Sequence, residues 1–450
     1  MEPAISSSEA ASTTRSSSWR LLRRSILASV TGTALEWYDF YLYGTAAALV
    51  FSKIFFPSFD PVTGTLLSFA TYAVGFGARP IGGFIAGHFG DRWGRKVVLV
   101  VTVSTMGIAT FLMGLLPSYA SIGVAAPVLL VCLRLIQGIG LGGEWAGGAL
   151  LIGERAPRER RGFWTSFVQV GVPIGSLMST GILALLSGVL SEEEFLSWGW
   201  RIPFLFSAVI VIVALVIRAK VTETPAFLKQ ASSEVKPSRS PVWEVWRRAP
   251  KTIFQVIGIR LGADICYYTF VVFVITYVTT FLGLPESVAL RAVLIAGILE
   301  LFLYPAWGLL SDRFGRKRVT LVGLAGCAVW AVAFFMLLDT RSPVLIVVAV
   351  LIGLFFEAAM YGVQAPWICE LFDTDVRYSG ASIGYQTASI VGGSLAPLIG
   401  VALLREFQSP WPVVGYLLLG LAVTLIAVLT TAETRGRDLD ETNEIATGKE

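Results

Sequence analysis

Gly87-His88-Phe89-Gly90-Asp91-Arg92-Trp93-Gly94-Arg95-Lys96 and Gly308-Leu309-Leu310-Ser311-Asp312-Arg313-Phe314-Gly315-Arg316-Lys317 share Gly, Asp-Arg, Gly and Arg-Lys at a constant offset of 221 residues. Each copy separates two apolar runs, and the runs that follow, Val97–Leu116 and Val319–Leu338, hold no charged residue. A helix of that length spans the ~30 Å hydrocarbon core of a bilayer. Farther out the repeat continues, with Glu154 before Arg161-Gly162 and Glu370 before Arg377 and Gly380. A duplicated unit of this kind implies two halves related by a pseudo-twofold axis along the membrane normal, with a binding site near the midplane between them.

Composition agrees. Of 450 residues, 55% are hydrophobic and 15% charged, with a mean hydropathy of +0.71; soluble domains run at about 25% charged. A net charge of +4, scattered in short clusters, does not suit nucleic acid. The single His88 and four cysteines without paired spacing (Cys132, Cys266, Cys327, Cys369) support neither a metal site nor a disulfide framework. No nucleophile constellation, phosphate loop or cofactor fingerprint is present, so neither catalysis nor a cofactor is expected.

The apolar stretches between charge clusters predict twelve spans, at 26–51, 64–89, 97–116, 124–152, 163–188, 202–217, 252–281, 289–310, 319–338, 343–368, 380–404 and 411–432. The expected architecture is an all-α membrane protein of two six-helix bundles, 25–217 and 251–432. A polar linker over 218–250 joins them, a disordered Ser-rich tail covers 1–24, and a polar tail covers 433–450. With the N-terminus inside, 27 of the 35 Lys and Arg residues face the cytoplasm and 5 face the other side. That bias places both termini in the cytoplasm.

The paired motif resembles the signature of the major facilitator superfamily, and the resemblance covers the whole membrane part. Glu36-Trp37-Tyr38-Asp39-Phe40, Ala78-Arg79-Pro80-Ile81-Gly82-Gly83, Arg134-Leu135-Ile136-Gln137-Gly138, Gly142-Gly143-Glu144 and Arg377-Tyr378-Ser379-Gly380 resemble the bacterial metabolite:proton symporter family. Within it, Phe195–Phe204 and Gly384-Tyr385-Gln386 are similar to the shikimate-permease subgroup. The resemblance implies alternating access in a bacterial cytoplasmic membrane, with symport of a proton and a small polar metabolite; a monomer is expected. It also implies a cytoplasmic gate built from Gly87, Asp91, Arg92, Arg95, Glu154 and Arg161 with Asp312, Arg316, Glu370 and Arg377. Asp91 would hold the N-terminal end of the eleventh helix and Asp312 that of the fifth. Val172-Pro173-Ile174-Gly175-Ser176 departs from the superfamily's antiporter ending, which speaks against drug export.

Nine ionisable residues lie inside spans: Glu36, Asp39, Arg79, Arg134, Glu144, Arg260, Asp264, Glu300 and Glu357. Each costs about 2.5–3.5 kcal/mol at a helix centre, so they are expected to face protein or a wet cavity. The third, sixth, ninth and twelfth spans have none. Glu36 and Asp39, spaced i,i+3, share a helix face, and two buried acids there favour keeping a proton on one of them. They are the candidates for proton coupling. Arg134 and Arg260 come from different halves, and two guanidiniums across a midplane cavity suit a carboxylate. For Arg260 and Asp264, spaced i,i+4, a structural salt bridge is the alternative reading. The expected substrate contacts are Arg134, Arg260, Asp264, Tyr38, Gln137, Tyr267 and Gln364; Arg79, Glu144, Glu300 and Glu357 form the remaining charge network. The cargo expected is an organic acid such as shikimate or a dicarboxylate. A zwitterion such as proline or betaine, an exporter and a non-transporting receptor are the alternatives.

Overall fold

The computed structural model describes residues 7–59, 61–93, 95–219, 241–374 and 376–439. Among these, twelve long helices follow one another. They are α1 (Ser7–Ala46), α2 (Pro61–Trp93), α3 (Lys96–Gly114), α4 (Ala125–Gly153), α5 (Arg158–Val189) and α6 (Arg201–Ala219). Then come α7 (Pro250–Phe281), α8 (Glu286–Phe314), α9 (Arg316–Asp339), α10 (Pro343–Leu371), α11 (Arg377–Phe407) and α12 (Trp411–Thr430). The ten from α3 to α12 are long and apolar enough to cross a membrane. α1 and α2 are longer, at 40 and 33 residues, and carry Glu36, Asp39 and Arg79, all buried inside the bundle.

The repeat in the sequence is a repeat in packing. α1 lies on α5 and α2 on α4 in the first half; α7 lies on α11 and α8 on α10 in the second. The halves meet along α2–α11 and α5–α8. The outer helices present large apolar side chains outward, including Ile108 on α3, Ile212 on α6, Val329 on α9 and Ile426 on α12. Water would penalise such a surface and lipid would not. At the α5–α8 crossing, a Cβ on Gly308 would stand 2.7 Å from the Gly162 carbonyl oxygen. Only backbone-to-backbone approach fits there. Between α8 and α9 the chain turns through Gly315 at φ +101°, a conformation open to glycine.

Several boundaries differ from the expectations. The Ser-rich opening is helical from Ser7 onward and continues directly into α1. No Gly or Pro interrupts Ser7 to Thr31, so a helix already nucleated in the apolar span propagates outward at little cost. The linker begins later than 218, because Arg218 belongs to α6 and is buried. Residues 220–240 lie outside the described residues, and a short helix, Pro241–Arg248, precedes α7. The segment 433–439, expected as a polar tail, is instead bound against the end of the bundle that carries the repeated motifs; 440–450 lie outside the described residues.

Candidate functional site

Two ion pairs adjoin at the centre of the seam between the halves. Glu36 of α1 is paired with Arg79 of α2. On α7, Arg260 Nε lies 2.9 Å from Asp264 Oδ2. Each pair also feels the other across the seam: Arg260 acts on Glu36, and Arg79 on Asp264. All four side chains are buried. The α7 pair is thus the self-neutralising i,i+4 bridge that the spacing allows.

Arg260 is held by more than charge. Its guanidinium carbon stands 3.2 Å from the centroid of the Tyr385 ring and 5.6 Å from that of Tyr361. Tyr385 in turn stacks on Trp145 of the other half, with centroids 3.5 Å apart and an 11° interplanar angle. Arg260 Nε also donates to Ser389 Oγ at 3.3 Å. Its Nη1, however, has no hydrogen-bond partner among the described residues, and neither does either amide atom of buried Gln364. Buried polar atoms left unpaired cost about 1–3 kcal/mol each. This group is where a small polar ligand gains most.

Glu36 and Asp39 do not confront each other. Asp39 Oδ2 accepts from Thr110 Oγ1 at 2.6 Å, and Gln137 Nε2 donates to that same Thr110 oxygen at 2.6 Å. Arg134 bonds to Gln137 Oε1 and lies in an aromatic cage, 4.1 Å from the Tyr43 centroid and 5.1 Å from that of Tyr72. Gln137 and Arg134 therefore build the shell around Asp39 inside the first half rather than reach across the seam. Tyr38 gives its hydroxyl to the Pro203 carbonyl at 2.7 Å, within the first half. Tyr267 meets Tyr41 hydroxyl to hydroxyl across the α1–α7 seam.

The remaining acids contrast. Glu144 is bound by Arg218, with Thr102 donating to it at 3.3 Å. The polar residues around Arg218 read as linker; in the structure α6, a peripheral helix, brings this charge inside. Glu300 accepts from Tyr304 at 2.9 Å. Glu357 has no hydrogen-bond partner among the described residues.

The end of the bundle bearing the repeated motifs, here the motif face, is closed. Asp312 accepts the backbone N–H groups of Gly162 at 2.7 Å and Phe163 at 2.8 Å, at the start of α5. Exposed helix N-termini favour such an acid. Arg316 ties Asp312 at 2.8 Å to Glu370 at 3.0 Å. Two longer contacts cross between the halves with matching logic: Arg161 to Glu370 at 3.5 Å and Arg377 to Glu154 at 3.7 Å. The first-copy positions Gly87, Asp91, Arg92 and Arg95 fall outside the residues whose surroundings are described. Just beneath, Tyr378 donates to the Gly143 carbonyl at 2.7 Å and Gln169 to the Tyr361 carbonyl at 3.1 Å.

A strap formed by residues 433–439 completes this closure. Glu433 caps α9 by accepting the N–H groups of Arg316 at 2.9 Å and Lys317 at 3.0 Å. Thr434 donates to Glu370 at 2.7 Å, and Arg437 to the Glu370 carbonyl at 3.1 Å. From the first half, Arg161 donates to the Arg437 carbonyl at 2.7 Å; from the second, Arg377 donates to that of Leu439 at 2.7 Å. Nothing in the hydropathy pattern marks this strap, because its contacts run to loops distant in sequence.

Cavities lined by both halves lie toward the opposite face. One, of about 80 Å³, is lined by Tyr41, Tyr72 and Thr180 of the first half and Val271, Thr276 and Glu286 of the second. A wider one of about 200 Å³ lies beside Lys53, Thr180 and Glu286. The bonds that cross between the halves at the motif face hold that face shut.

Known proteins share this frame. The family model described as "Sugar (and other) transporter" matches residues 25–240 and 229–446. The chain is 44% identical to the shikimate transporter of Escherichia coli K12, over 92% of this chain and 95% of that protein. It is 43% identical to the inner membrane metabolite transport protein YhjE of the same strain, with the same coverage. It is 33% identical to that strain's proline/betaine transporter, over 93% of this chain and 85% of the relative. Among solved structures, the proton:xylose symporter XylE bound to 6-bromo-6-deoxy-D-glucose superposes with a TM-score of 0.74 at 19% identity, covering 94% of this chain and 98% of that one. The inward open form of XylE from E. coli scores 0.66 at 18% identity, over 92% and 98%. With twelve helices in two repeated halves and a match along nearly its whole length, the chain is a multi-pass membrane transporter that belongs to the sugar (and other) transporter family of the major facilitator superfamily.

Proposed function

We propose that the chain takes up a small hydroxylated organic acid together with a proton, acting as a monomer in a bacterial inner membrane with its motif face and both termini in the cytoplasm. The observation that carries this reading is the unengaged Nη1 of Arg260 over the Tyr361 and Tyr385 rings, with Gln364 unengaged about one turn along α10 from Tyr361. A guanidinium already neutralised by Asp264 binds a carboxylate without trapping it, and an amide with both atoms free bonds to hydroxyls. The likeness to a shikimate transporter supports a cargo of that chemistry. The excess of Lys and Arg on the motif-face loops supports the orientation.

Asp39 is the proton-coupling acid in this reading. Glu36 is tied to a guanidinium, whereas Asp39 is held by a hydroxyl and makes no ion pair among the described residues, with Arg134 bonded to Gln137 nearby. Protonation of Asp39 breaks no ion pair. A second reading, transport of a zwitterion, is favoured by the Asp264 carboxylate beside the aromatic rings and by the proline/betaine relative. Thermal shift of the purified protein against shikimate, 2-oxoglutarate, citrate, benzoate, proline and betaine separates the two. Stabilisation is expected from hydroxylated acids, and stabilisation by betaine and proline alone overturns the first reading. In proteoliposomes, Asp39→Asn should abolish accumulation driven by a pH gradient while exchange of the stabilising ligand persists. Full accumulation in that variant removes Asp39 from coupling.

A further inference from the structure

Two buried acids take no part in this scheme. Glu357, midway along α10, is fully buried, and neither of its carboxyl oxygens has a hydrogen-bond partner among the described residues. The titratable and charged groups facing it come from every helix packed around it. α8 brings Glu300 and Tyr304, α7 brings Cys266, Asp264 and Arg260, α9 brings Cys327, and α1 brings Tyr41. Tyr361 lies one turn along α10 itself, with its hydroxyl bonded to Tyr385 at 2.8 Å. Arg260 is the one cation in this set, and Asp264 holds it at 2.9 Å. Glu300 has the Tyr304 hydroxyl at 2.9 Å and, among the described residues, no ion pair.

An ionised carboxylate in such a place has lost its water and gained nothing in exchange. A second carboxyl alongside makes double ionisation worse. We propose that Glu357 and Glu300 form a second proton-binding site, in the C-terminal half, loaded on Glu357 while the motif face is closed. The proton enters from the face opposite the motifs, where cavities lie between the halves, and adds to a carboxylate oxygen of Glu357. It leaves to water when the motif face opens and wets α10, the helix whose end carries the gate residue Glu370. The site is independent of Asp39, which lies in the other half behind Thr110 and Gln137.

The test needs no substrate. Infrared difference spectra of the purified full chain, stepped from neutral to alkaline pH, should contain the carbonyl band of a protonated buried carboxylic acid. Glu357→Gln should remove that band, Asp39→Asn should leave it, and the Glu357→Gln protein should melt at the wild-type midpoint. The last follows because an amide closely copies an acid that is already neutral. A full band in Glu357→Gln, or its loss in Asp39→Asn, overturns the proposal. So does a Glu357→Gln chain that fails to fold, since that would mean the ionised form holds the helices together. These outcomes concern the second site alone; stabilisation by none of the ligands named above would instead sink the proposed cargo and leave the band untouched.

Discussion

In the N-terminal half, the mid-span acids Glu36 and Glu144 each meet a guanidinium, and Asp39 accepts from the Thr110 hydroxyl. Of the mid-span acids Asp264, Glu300 and Glu357 of the C-terminal half, Asp264 has a cation, Glu300 has a phenol, and Glu357 has no hydrogen-bond partner among the described residues. Yet the helix frames are repeats, and the pairs α1–α5 and α7–α11 pack alike. Duplication has therefore preserved the backbone scaffold while the charges inside it have diverged. In the first half each mid-span acid keeps at least one partner, even where single atoms such as Glu36 Oε2 and Asp39 Oδ1 have none among the described residues. In the second, whole polar groups have no hydrogen-bond partner among the described residues, namely the Gln364 amide and the Glu357 carboxyl, and neither has the single atom Arg260 Nη1. A matched ion pair locks geometry, whereas unmatched groups can respond to a ligand or a proton.

That contrast can be broken by substitution. The largest effect is expected for Glu144→Gln, which leaves Arg218 buried without its counter-charge. Breaking one partner of a buried pair costs about 3–5 kcal/mol, read as a lowered melting midpoint of the purified protein. If Glu144→Gln were as harmless as Glu357→Gln is expected to be, the difference between the halves would vanish. Next comes Asp312→Asn, an acid of one half bound to the start of a helix in the other. Losing its charge-assisted bonds to Gly162 and Phe163 should weaken closure by about 1.5–3 kcal/mol. The readout is faster labelling of the buried Cys369, which lies under the motif face. The smallest is Thr434→Ala, which removes one hydrogen bond to Glu370 and should cost about 1 kcal/mol in the same labelling assay.

Much of this was legible beforehand. The span count, the repeat and the set of nine buried charges follow from hydropathy and spacing, because the bilayer imposes length and excludes unpaired charge locally. Partners were less legible, because they are chosen by helices far apart in sequence. Arg218 looks like a linker residue until α6 is seen packed against α4 and α3. The i,i+3 spacing of Glu36 and Asp39 suggests one shared face, yet a 300° turn over three residues lets one point to α2 and the other to α3. Tyr38 carries no mark of its bond to Pro203, 165 residues away. Spacing reports which residues are inside, and tertiary contacts decide what they face.

The strap over residues 433–439 has a consequence for assembly. It follows α12, so Glu370 and the start of α9 receive their final contacts only after all twelve helices have been synthesised. Both bundles can insert before that moment, but the lock between them is turned last. A chain cut after Ala432 should therefore reach the membrane and yet lack the latch that holds one of its two doors shut.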